Sequence, residues 1–274
     1  MRDVDRSFVP VPERLQKLTA DNLRHLNDYK KISNSIYAHD DVKRSLQLLY
    51  HDKCYICECD LGTGSYNVEH YLPKQHFPSL GYTWENLHKS CEGCNLAKES
   101  DDFFFKDANG KIYDIKLLDP SSNQYRASDY ITFDSNSKAI LNTIGKDAHI
   151  INKAQNTILF LNGHYKSEYS KKLLYSRSNR NHHFSIFVIN NLAKYRERLS
   201  QIKLMIDTYK KPQLETDQQK DKELFRAISK AVQVYLDDSA CYSTCVRVQL
   251  PLILNVSYNE LIKIKDKLYS ELER

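Results

Sequence analysis

The sequence lacks any apolar run near the roughly 20 residues that a membrane-spanning helix needs, and its mean hydropathy is −0.61. No membrane association is expected. The opening "MRDVDRSFVPVPERL" lacks the apolar centre of a secretory signal, so the expected location is the cytoplasm. Glycine is scarce, seven in 274 residues, and none falls in a G-x-x-x-x-G-K-[ST] pattern. A phosphate-cradling P-loop is therefore excluded, and any ATP dependence has to come from another protein. Internal repeats and long low-complexity segments are also missing.

What is present is ordinary globular material, 41% hydrophobic and 27% charged, enough for one large domain or two small ones. The net charge of +5 is uneven. Residues 1–100 carry 13 Lys/Arg against 14 Asp/Glu, and residues 101–274 carry 27 against 21. A polyanionic partner would be attracted mainly by the later region.

Cysteine is the informative residue. Five of the seven, Cys54, Cys57, Cys59, Cys91 and Cys94, fall within 41 residues. Under reducing conditions this clustering favours a metal site over disulfides. Cys54-x2-Cys57 and Cys91-x2-Cys94, separated by 33 residues, fit four thiolates closing a tetrahedral structural Zn²⁺. A unit of about 46 residues has little core of its own, and zinc binding contributes on the order of 10–16 kcal/mol in small zinc peptides. Cys59 is left outside the site because C-x-C matches the usual ligand spacing poorly. Cys241 and Cys245 are expected to pack as small hydrophobes.

Apolar spacing predicts helices. Leu18, Leu23 and Leu26 mark one. Val42, Leu46, Leu49 and Tyr50 form one face of a second, with Asp40 or Asp41 as its N-cap. Gly62 and Gly64 predict a hairpin turn between short strands, "HFPSLGYTW" a loop, and "SCEGCNLAK" a short helix from the second CxxC. "KIYDIKLLDP" and "DYITFDSNSKAIL" alternate like strands. From about 146 onward helices dominate, and Ser257 with Glu260 makes a capping-box pattern.

Between the two cysteine pairs stands "VEHYLPKQHFPSL", followed by "WENL" and "SCEGCNLAK". In order, these fragments resemble the HNH endonuclease family over roughly residues 54–99. The resemblance implies a ββα-metal finger of the kind that also carries a structural zinc. It implies His70 as general base, Asn86 as brace of the loop carrying that base, and Glu69 with Asn95 as ligands of a catalytic cation. Asp is more familiar in the family where Glu69 stands. Chemically, a neutral imidazole suits base work near neutral pH. A carboxylate with a carboxamide suits a hard ion such as Mg²⁺ or Mn²⁺. Adjacent strand residues face opposite ways, so Glu69 and His70 are expected to converge only at a strand end or bulge. Lys74 and Lys98 are candidate phosphate contacts, His76 a candidate contact or ligand, and His88 a structural residue.

Longer fragments, "MRDVDRSFVP", "LLDPSSNQYRASDYITFDSNSKAI" and "AQNTILFLNGHYKSEYSKKLLYSR", resemble the PtuB-like HNH subunits of Septu-type and retron-associated anti-phage systems. That resemblance implies an ABC-type ATPase (PtuA-like) partner and a defensive role in which nucleic acid, expected to be DNA, is cut. Residues 164–183 set five Lys/Arg against one Glu, with tyrosines interleaved. They make Lys171, Lys172, Arg177 and Arg180 candidate phosphate contacts; the alternative is an amphipathic helix burying its tyrosines. The expected class is α+β and mainly helical. Helices occupy 1–53, the zinc-stapled HNH finger 54–100, a strand and loop extension 101–145, and a helical region for partner or nucleic acid 146–274. A zinc-ribbon binding module without catalysis, and a stand-alone nuclease acting on RNA, are the competing functions.

Overall fold

The computed structural model describes residues 1–162, apart from 30, 63–65, 99–102, 135–137 and 143, and further on 200, 204, 243–254, 257–259 and 261–263. Lys171, Lys172, Arg177, Arg180 and Cys241 lie outside the described residues, as do Glu260 and most of the region beyond 162 in which helices are expected to dominate. The Cys245 backbone belongs to a helix, but its side chain is outside the description.

Four helices open the fold: α1 (Glu13–Gln16), α2 (Ala20–Tyr29), α3 (Asn34–Tyr37) and α4 (Asp40–Tyr50). The face read from spacing on α4 is the buried one, since Val42, Leu46, Leu49 and Tyr50 are all at most 4% exposed. Its N-cap is His39 rather than either aspartate. Asp41 is engaged elsewhere, its carboxylate accepting from the Arg14 and Val42 amides at 2.8 and 2.7 Å. After α4 the chain reverses through two left-handed residues, His51 (φ 47°) and Asp52 (φ 57°).

Among the described residues the strands are short and pair antiparallel in three separate ribbons. β1 (Asn67–His70) pairs with β2 (Leu87–Ser90), and α5 (Glu92–Lys98) follows at once and packs back on β1. β3 (Phe104–Lys106) pairs with β4 (Ile112–Ile115), and β5 (Ile131–Phe133) with β6 (Ala139–Leu141). Helix α6 (Ala148–Leu161) lies against β6, and α7 (Ser243–Leu254) against β5. The mixed class is as expected. Gly64 lies outside the described residues. Among those described, the stretch before Gly62 makes a bridge, Lys53 to Asp60, and the partner of β1 arrives only after a 16-residue excursion over 71–86.

One core joins these parts. Ile36, Leu46, Ile56, Leu87, Phe103, Leu118 and Phe160 are each at most 1% exposed and belong to one apolar cluster. The β1–β2–α5 unit therefore shares its core with the N-terminal helices and with α6.

Candidate functional site

The four cysteines of the two CxxC pairs converge. The sulfurs of Cys54, Cys57, Cys91 and Cys94 lie within 4.8 Å of one another, and Cys57 Sγ and Cys91 Sγ are 4.0 Å apart. A tetrahedral ion with metal–sulfur bonds of about 2.3 Å needs its sulfurs about 3.8 Å apart, so the cluster fits. The first pair sits on a tight turn: the Cys54 amide donates to the Cys59 carbonyl and the Glu58 amide to the Cys54 carbonyl, both at 3.0 Å. Glu58 takes the left-handed conformation this turn requires (φ 59°). The second pair opens α5, where the Cys94 amide donates to Cys91 Sγ at 3.3 Å. Three of the four are buried and Cys91 is half-buried. These four residues could hold a metal ion, as their spacing predicted. Cys59 is 2% exposed and stays outside this ligand set.

Strand β1 delivers the polar pair. Its register, Glu69 to His88 and His70 to Leu87, runs without a bulge, so the two side chains go to different neighbours. His70 is 7% exposed, and its Nε2 lies 2.9 Å from the Gly81 carbonyl oxygen. A carbonyl can only accept, so Nε2 carries the proton and the neutral ring keeps its lone pair on Nδ1. The edge of the Tyr37 ring packs on it, centroids 4.6 Å apart. Burial pushes the imidazolium pKa down to about 4; the Gly81 bond opposes this, and the charges of Lys74 and Lys98 add to it. The ring is thus neutral at any pH near 7.

Gly81 and Tyr37 were not legible as partners of this histidine. Gly81 stood only as a loop breaker in "HFPSLGYTW". Its own constraint is close approach, since a Cβ there would meet Ile32 Cδ1 at 2.6 Å.

Asn86 braces the excursion between the strands. Its Oδ1 accepts from the Leu72 amide at 2.7 Å, and its Nδ2 donates to the Leu72 and Leu80 carbonyls at 3.0 and 3.2 Å. One 5%-exposed carboxamide thus ties both ends of the loop that carries Lys74 and leads to Gly81. Truncation to Ala removes three bonds worth roughly 1 kcal/mol each. Asn86→Ala should lose about 3 kcal/mol in urea unfolding, and a loss below about 0.5 kcal/mol would show that the loop holds itself.

Arg6 supports the same segment from below, a contact with no signal in the sequence beyond its place in "MRDVDRSFVP". It donates to the Trp84 and Leu87 carbonyls at 2.9 and 2.8 Å and to Ser121 Oγ at 2.9 Å. His88 is fully buried with Nδ1 2.7 Å from Tyr50 Oη, the structural place expected for it. His76 is exposed on the loop, its ring 6.0 Å from that of Phe104.

Glu69 is 9% exposed and faces α5, where Asn95 and Lys98 lie on one side of the helix, three residues apart. Asn95 is half-buried. Lys98 does not stand in solvent as expected for a phosphate contact. It is 2% exposed, bonded to Glu69 Oε1 and to the His70 carbonyl. Lys74 donates to Tyr37 Oη at 2.7 Å. A cleft of about 940 Å³ opens on another side, lined among others by Arg6, Tyr71, Asp119 and Lys153. None of Glu69, His70, Asn95 and Lys98 lines it. No helix among the described residues is long and apolar enough to cross a membrane.

No known family profile matches the chain. The chain is similar to the Septu protein PtuB of Bacillus thuringiensis, 33% identical over 93 residues, which is 33% of this chain and 36% of that protein. The chain therefore spans about a third of the length of the curated relative it matches, and across that segment it carries a PtuB-like relationship.

Proposed function

We propose that this chain is a metal-dependent HNH-type nuclease that hydrolyses phosphodiester bonds, with DNA as its substrate, and that it serves as the nuclease of a Septu-like anti-phage system beside an ABC-type ATPase. The observation that carries the reading is His70. It is a buried imidazole kept neutral, its Nε2 proton fixed on the Gly81 carbonyl, next in sequence to a carboxylate bonded to Lys98 on α5, the helix that also carries Asn95. Three elements of the chain act together. His70 Nδ1 takes a proton from the attacking water. Glu69 and Asn95 offer oxygen ligands to a hard divalent cation. Asn86 keeps the intervening loop in place. Were Glu69 and Asn95 to hold Mg²⁺ or Mn²⁺, the ion would supply Lewis-acid charge to the phosphate. Cys54, Cys57, Cys91 and Cys94 would hold a structural Zn²⁺ that would tie the start of α5, the helix carrying Asn95, to the turn at 54–59.

The ATPase partner and the defensive role rest on the similarity to the Septu protein PtuB and on the absence of a P-loop from this sequence. The test is cleavage of supercoiled plasmid by the purified chain, alone and with the ATPase subunit, in Mg²⁺ or Mn²⁺. Nicked or linear product that disappears in EDTA is expected. Product that persists in EDTA would remove the catalytic cation, and cleavage confined to a parallel RNA substrate would move the activity from DNA to RNA.

A further inference from the structure

Lys98 is placed where it has a consequence for metal binding. It is among the largest fully enclosed side chains of the described protein, and its ammonium bridges Glu69 Oε1 and the His70 carbonyl oxygen, the latter at 2.5 Å. An ammonium against a buried carboxylate does part of what a bound cation does: it neutralises the charge and holds the rotamer. Asn95 lies three residues earlier on the same face of α5. A divalent ion held by Glu69 and Asn95 would therefore meet the Lys98 charge at the same carboxylate, and two cations so close in a dry site repel strongly.

We propose that Lys98 is a built-in counter-cation: it holds Glu69 in the metal-free protein and is displaced from the carboxylate when a divalent cation binds. Lys98 is thus a positioning residue that keeps the ligand oriented and sets a threshold for metal loading. The inference rests on the reading of Glu69 as a metal ligand, and the experiment separates the two.

In the zinc-loaded full chain, lysines are acylated with an amine-reactive ester, with and without Mn²⁺, and each site is read by peptide mass spectrometry. Mn²⁺ binding is followed in parallel by electron paramagnetic resonance. Lys98 should be protected without Mn²⁺ and become several-fold more reactive with it, and Glu69→Gln should abolish both the Mn²⁺ binding and this response. In a second arm, Lys98→Met should bind Mn²⁺ about tenfold or more tightly than the unaltered chain, while Lys98→Arg, which keeps the charge, should not. Glu69-dependent Mn²⁺ binding with Lys98 still protected would overturn the displacement and leave the ligand reading intact. Lys98→Met binding no tighter than the unaltered chain would overturn it likewise. Absence of any Glu69-dependent Mn²⁺ binding would instead overturn the ligand reading, and the counter-cation with it. If Lys98→Met does not fold, the acylation arm decides alone, because it needs no variant at that position.

Discussion

On the proposed reading, His70→Ala should abolish plasmid cleavage while leaving the zinc content and the unfolding transition close to those of the unaltered chain. The expected loss is about 10²- to 10⁴-fold, the usual contribution of a positioned general base. Little else should change, because the ring's hydrogen bond is to a backbone carbonyl and the neighbouring strand pairing is backbone to backbone. The pH profile gives a second readout of the same group. Burial, with Lys74 and Lys98 nearby, holds the His70 pKa at about 4, below its ordinary 6.5. The base form is therefore already full at pH 6, and no histidine limb should appear between pH 6 and 8. Cleavage should fall only as pH drops toward 4. The stability linkage has the same sign. The folded-state value is the depressed one, so the contribution of a neutral His70 is complete above about 6.5 and is lost as pH falls through about 4. Lys74→Met removes a positive charge that disfavours the imidazolium, so the acid limb should move upward. A limb centred near 6.5 in the unaltered chain would mean that the ring is solvated in the active state. Equal cleavage by His70→Ala would mean that another group takes the proton.

The legible parts of this molecule are those specified by local spacing. Val42, Leu46, Leu49 and Tyr50 announce α4 because helical periodicity is a property of neighbouring residues. The cysteine frame announces itself because two CxxC turns need only one ion to join them. The β1–β2 ribbon was harder. Each strand has four residues, too few for an alternation to register, and β2 is buried throughout although its sequence is Leu-His-Lys-Ser. It can be buried because each polar group finds a partner far along the chain. Lys89 Nζ meets Asp52 Oδ1 at 2.7 Å and the Gly62 carbonyl at 3.1 Å, and His88 meets Tyr50. Lys98 is buried for the same reason: its partners, the Glu69 carboxylate and the His70 carbonyl, lie 29 and 28 residues earlier in the chain. The site residues themselves were named from a family pattern. Their partners, Gly81, Tyr37 and Arg6, come from segments whose approach is set by packing, which no local pattern encodes.

Removal of the metal from the four-sulfur cluster should cost more stability than any other single change discussed. Four sulfurs within 4.8 Å, three of them buried, are a poor arrangement without an ion: as thiolates they repel, and as thiols they give up the bonds that close the site. Cys94→Ser, which removes the most deeply buried ligand, should lose about 3–4 kcal/mol, on the order of a quarter of the free energy of a structural zinc site. For a chain of this size that lowers Tm by roughly 10 °C. Collapse should be local first. Ile56 and Leu87 belong to the same core as α4 and α6, so the apolar interior survives while the turn at 54–59 and the start of α5 loosen. Loss of α5 placement takes Lys98 away from Glu69 and moves Asn95 with the helix, so on the proposed reading cleavage should vanish at temperatures where circular dichroism still reports most of the helix. Cys59→Ser is the discriminating control. It lies in the turn that carries Cys54 and Cys57 and is 2% exposed, yet it is outside the ligand set, so this variant should keep one equivalent of zinc and most of its activity. Zinc retained by Cys94→Ser but lost from Cys59→Ser would reassign the fourth ligand, and would require the first turn to close around Cys57-x-Cys59 instead.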